Sequence, residues 1–89
     1  MTEAIVTRDR NGHPVAVGAK VRVVEIAPSV TRTLPVGEQR DLKSMVGEVF
    51  EVYEIDEHGT AWVEKWWPEG DGHHRCHSLG LDPHEMELA

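Results

Sequence analysis

Two stretches of alternating, β-favouring residues face each other across a four-residue turn, and this pairing constrains the fold more than anything else in the chain. Glu48-Val49-Phe50-Glu51-Val52-Tyr53-Glu54-Ile55 follows Gly47, and Thr60-Ala61-Trp62-Val63-Glu64-Lys65-Trp66-Trp67 follows Asp56-Glu57-His58-Gly59. β-Branched and aromatic side chains at a period of two suit a pleated, half-buried strand. Gly59 supplies the left-handed residue that closes a short bulged hairpin. The spacing predicts an antiparallel hairpin over 47–67.

Gly18-Ala19-Lys20-Val21-Arg22-Val23-Val24-Glu25-Ile26 reads as an earlier strand, with Val21 and Val23 on one side and Lys20 and Arg22 on the other. Before it, Ile5-Val6-Thr7 and Val15-Ala16-Val17 flank Asn11-Gly12, a pair suited to a tight type I′ turn. Pro14 keeps that segment at an edge or makes it an extended lead-in. Residues 27–45 carry no sustained period and are expected to form a long connection, with one helical turn conceivable at 40–45. Pro68-Glu69-Gly70-Asp71-Gly72 is a loop, and 73–80 a polar fourth strand. Asp82 caps and Pro83 opens a single tight helical turn, and Met86-Glu87-Leu88 is a short closing strand.

Eighty-nine residues hold one core. The expected division is an N-terminal hairpin or extended lead-in over 1–17 and a barrel domain over 18–89. No apolar run nears the ~20 residues that span a bilayer, and the N-terminus lacks the basic-then-apolar pattern of a signal peptide. The one cysteine, Cys76, has no internal partner for a disulfide, which makes a reducing cytoplasm the expected compartment. A net charge of −7 is concentrated after residue 43, where eleven acidic residues meet two basic ones. Such a surface repels phosphate and disfavours nucleic acid as a partner.

The order strand, long loop, strand, tight turn, strand, loop, strand, helical turn, strand resembles that of Src-homology-3-like small barrels. Gly18-Ala19-Lys20-Val21-Arg22-Val23, Gly47-Glu48-Val49-Phe50-Glu51-Val52 and Leu81-Asp82-Pro83-His84-Glu85-Met86-Glu87-Leu88 carry the likeness. This architecture is shared by signalling adaptor domains, ribosomal KOW-type modules, a photosystem I subunit and the β-subunit barrel of nitrile hydratase. The resemblance implies a mostly β, five-stranded barrel with a long first loop and one short 3-10 turn before the last strand. Trp62 stands where an adaptor domain has its groove tryptophan, although Val21-Arg22-Val23-Val24-Glu25-Ile26 lacks the tyrosines of those domains. The likeness speaks to fold, since one fold hosts many activities.

Five aromatic residues, Phe50, Tyr53, Trp62, Trp66 and Trp67, lie on the central hairpin. A period of two places Trp62, Glu64 and Trp66 on one face and Val63, Lys65 and Trp67 on the other. Two arrangements are open: both faces covered, one by core and one by the long loop or the N-terminal hairpin, or one face free for a partner protein. In the second, Tyr53, Trp62, Trp66 and Trp67 form the binding set, because rigid aromatics anchor interfaces.

A second candidate is a metal site from His74 and Cys76, about 6–7 Å apart on one strand face, with His84 or Glu85 as third ligand. The alternative is a solvent-facing strand of titrating histidines. No nucleophile with a base and orienting group, no phosphate loop and no paired-carboxylate site stands out, so the expectation is a non-catalytic module without a cofactor. It would bind another protein, or serve as accessory subunit of a larger complex, through the aromatic surface and the 27–45 loop, as a monomer or weak oligomer. The other readings are a KOW-like nucleic-acid module using Arg32, Arg40 and Lys43, and the metal-binding protein.

Overall fold

The computed structural model describes residues 6–89. Among these residues eight strands and two short helices make a mostly β molecule, in the order β1 (Thr7–Arg8), β2 (Pro14–Val15), β3 (Lys20–Val23), α1 (Pro28–Thr31), α2 (Val36–Lys43), β4 (Val49–Glu51), β5 (Glu54–Ile55), β6 (Ala61–Pro68), β7 (His74–Leu81) and β8 (Met86–Leu88). A 3-10 turn over Pro83–Glu85, opened by Asp82 and Pro83, precedes β8 as the sequence predicts.

The ladders form three antiparallel sheets: β1-β2, β4-β3-β8 and β5-β6-β7. β4 and β5 belong to one bent stretch that passes between the two larger sheets. The Val52 N–H donates to Ala19 and its carbonyl accepts from Gly18, while the next N–H, that of Tyr53, donates to Trp62. No ladder joins β7 to β8 among the described residues, so the hydrogen bonding does not close into a cylinder. The expected second strand, 48–55, is therefore two strands with a bend between them.

The core fills the space between the two larger sheets. Val21 and Val23 from β3, Val63 from β6, Leu79 and Leu81 from β7, and Met86 from β8 are all buried there. α2 adds Leu42, and Met45 follows it. Residues 27–45 thus depart from the expected structureless connection. Pro35 opens α2, Glu38 lies in its first turn, and Arg40 and Lys43 lie in its last. That charge order suits the helix dipole. The Gln39 side chain donates to the Leu34 carbonyl at 2.7 Å, fixing the entry. Leu42 and Met45, three apart, bury on one side.

The N-terminal hairpin also departs from expectation. Ile5 lies outside the described residues, as does the rest of the 1–5 portion of the expected lead-in. Arg8 pairs with Pro14, leaving a five-residue turn, Asp9–His13, in place of a two-residue Asn11-Gly12 turn. Asp9 accounts for the difference. Its Oδ1 accepts from the Asn11 and His13 N–H groups at 2.9 and 2.8 Å, and Gly12 takes φ 81°. Asp56–Thr60 repeats the device: Asp56 Oδ1 accepts from His58 and Thr60 at 2.9 and 3.0 Å, and Gly59 takes φ 79°. A short acceptor at the first position and glycine at the fourth satisfy the turn's amides without strain.

The buried Asp9 also reaches β8, where Oδ2 accepts from the Leu88 N–H at 2.8 Å. Burial alone would raise its carboxyl pKa. The bonds from Leu88, His13 and Asn11, with the His13 ring, outweigh burial and lower it from 3.8 to about 2. The stabilisation is complete above the ordinary value of 3.8 and is lost as pH falls through about 2. The thermal midpoint of the wild type is expected to fall more steeply between those pH values than that of Asp9→Asn. Parallel curves for the two proteins would contradict this role.

Candidate protein-docking face

The β6-β7 hairpin runs eight residues on each strand, and its register assigns every side chain to a face. Trp62 lies opposite Gly80, Glu64 opposite Ser78, Trp66 opposite Cys76 and Pro68 opposite His74. These share the outer face. Ala61, Val63, Lys65 and Trp67, with Arg75, His77, Leu79 and Leu81, share the inner one. At the Ala61 and Leu81 end the inner face is core; towards the hairpin tip it meets α2 and β4.

Trp67, one of the four expected binding residues, lies on that inner face and is occupied by this chain's own side chains. Lys65 Nζ and Arg75 Cζ approach the Trp67 ring to 5.3 and 5.0 Å from its centroid. Arg75 also pairs with Asp41 of α2 at 3.1 Å and Glu69 at 2.9 Å, and Lys65 pairs with Glu48. An indole against two cations that are themselves ion-paired forms a cation–π brace tying the hairpin to α2 and to Glu48 just before β4. The other arm of this side is His77, whose Nε2 lies 3.9 Å from Glu38 Oε1.

The other three aromatics come together on the outer face. Trp62 is half-buried over Gly80, and its indole N–H donates to Asp56 Oδ2 at 3.1 Å. That bond is the leading reason the Asp56 carboxyl is held below its ordinary pKa. Gly80 permits the packing: a Cβ there would stand 2.8 Å from Thr60 Cγ2 and 3.1 and 3.2 Å from Trp62 ring carbons. Trp66 is 58% exposed. Tyr53 reaches this face because alternation slips at the bend, where Val52 and Ile55 are both buried and the two residues between them are exposed. Its hydroxyl donates to Ser78 Oγ at 3.2 Å.

An open cleft of about 400 Å³ borders this face, with Trp62, Ser78 and Gly80 as floor and Ala27, Val30 and Asp82 at its margins. The buried Glu85 carboxylate holds the margins together, accepting from the Ala27 N–H at 2.9 Å and the Asp82 N–H at 2.8 Å. Sequence reasoning passed over Asp56, Ser78 and Gly80. The one advance signal was Asp56 and Gly59 at the spacing of Asp9 and Gly12.

The three candidate metal ligands are not assembled. His74 and Cys76 share the outer face near the hairpin tip, as their spacing predicts. His84 sits in the 3-10 turn beyond Leu81, with Nε2 4.0 Å from Glu25. Leu81 is five positions along the strand from Cys76, a rise of about 17 Å. Among the described residues, no group of three His, Cys, Asp or Glu side chains is placed to hold a metal ion. No helix among the described residues is long and apolar enough to cross a membrane. Neither a protein-family model, a curated protein nor a solved structure matches this chain.

Proposed function

We propose that this chain is a non-catalytic interaction module, a small barrel of the Src-homology-3-like kind that docks an extended segment of another protein. The path β8-β3-β4, bend, β5-β6-β7 supports the barrel assignment. It makes five strands once β4 and β5 are taken as one, with the 3-10 turn before the last. The observation that carries the docking reading is the outer face itself. Tyr53, Trp62 and Trp66 line one side of a three-stranded sheet, beside a cleft walled by the 27–30 segment. Rigid aromatics with little rotamer entropy to lose are what interfaces use as anchors. A place as accessory subunit in a larger cytoplasmic assembly fits this reading.

Selection from a random-peptide display library against the purified protein tests it. The expected result is an enriched peptide set whose binding is lost in Trp62→Ala and Trp66→Ala and kept in Val36→Ala, a change at an exposed position on α2. No enrichment, or enrichment indifferent to both tryptophans, would remove the reading.

A further inference from the structure

The two faces of the β6-β7 hairpin pose the same chemistry in complementary states. On the inner face, Trp67 lies against Lys65 and Arg75, whose charges are met by Glu48, Glu69 and Asp41. On the outer face, Trp66 stands two residues from Glu64, and Glu54 lies opposite Trp62. An indole and two carboxylates are present there, but the register places no lysine or arginine on that face. Neither the Glu54 nor the Glu64 carboxylate has an ion-pair or hydrogen-bond partner among the described residues. Two carboxylates flanking an aromatic strip, in a chain of net charge −7, favour a cation in contact with the ring.

From this we infer the partner's chemistry: the docked segment is basic, and one of its arginine or lysine side chains lies over Trp66 and pairs with Glu64. The inference rests on the docking reading and deepens it. Arginine suits the site better than lysine, because its planar guanidinium stacks on an indole while its N–H edge meets a carboxylate. Glu54 takes a second cation beside Trp62, so basic residues at alternate positions of an extended segment fit the pleat.

Titration of an acetylated hexa-arginine peptide, followed by calorimetry and by the tryptophan indole N–H signals, tests the inference. A glycine-serine hexamer is the uncharged control, and ionic strength is held at about 0.15 M to screen long-range attraction. Saturable binding of the arginine peptide alone is expected, weakened roughly two- to fivefold by Trp66→Ala and again by Glu64→Gln. Glu87→Gln removes the same charge from β8, where Glu87 faces Arg22 at 3.1 Å, and is expected to change affinity less than about twofold. Trp66→Phe keeps a ring and is expected to retain part of the affinity. Thermal midpoints are compared so that a loss of fold is not read as a loss of site. Equal weakening by Glu64→Gln and Glu87→Gln, or unchanged binding in Trp66→Ala, would overturn the inference. Display peptides that need Trp66 but carry no basic residue would overturn it too, while leaving the docking reading standing.

Discussion

Leu42→Ala is expected to lower the free energy of unfolding by about 2–5 kcal/mol, the range for emptying a buried leucine site. Leu42 is 1% exposed and Met45, three residues on, is 0%. Both point from the end of α2 into the space between the two larger sheets. Val36, on the same helix, is 71% exposed, and Val36→Ala is expected to stay within about 0.5 kcal/mol of the wild type. Total stability for a chain of this size is of order 4–13 kcal/mol, so the larger loss is a substantial part of it. Urea denaturation of the two variants gives the comparison directly. Equal, small effects would mean that α2 rides on the surface of the core without completing it.

That helix is also where reading the sequence alone failed, for a physical reason. α2 buries only Leu42, with Met45 just beyond its end, so no apolar stripe at helical period marks the segment in advance. Its order comes from tertiary partners distant in sequence, such as Arg75 reaching Asp41. The β6 strand was legible because its signal is local: alternation, a glycine-closed turn and β-branched residues agree. The same holds for Asp82-Pro83 before the 3-10 turn. Adjacent tryptophans posed a different problem. A period of two separates Trp66 from Trp67 but cannot say which is open. The answer depends on Lys65, Arg75 and the carboxylates around them, which meet only once β6 and β7 pair. Tyr53 joined the face through a break in alternation at Tyr53–Glu54, both exposed, that propensity does not foretell. Asn11-Gly12 misled because Asp9, two residues earlier, captures the turn's amides and lengthens it.

Gly80→Val is expected to damage the fold and the docking face together, through one contact. The new Cβ would stand inside normal contact distance of the Thr60 methyl and of two Trp62 ring carbons. Trp62 cannot simply swing aside, because its indole N–H is tied to Asp56, whose other carboxylate oxygen holds the turn amides of His58 and Thr60. Overpacking of this kind costs about 1–3 kcal/mol. The direction of relaxation is readable from Asp56. Its carboxyl lies below the ordinary value chiefly because of the Trp62 bond, so displacing the indole raises that pKa towards 3.8. An NMR titration of Asp56 in Gly80→Val would record the rise, and the Trp62 indole N–H signal would move with it. Trp62→Phe separates the two effects: it removes the N–H donor without crowding Gly80, and is expected to raise the Asp56 pKa with a smaller loss of stability. A Gly80→Val protein whose Asp56 titrates as in the wild type would show that the indole keeps its place. The outer face would then owe its shape to something other than the close approach of Trp62 to a strand without a side chain.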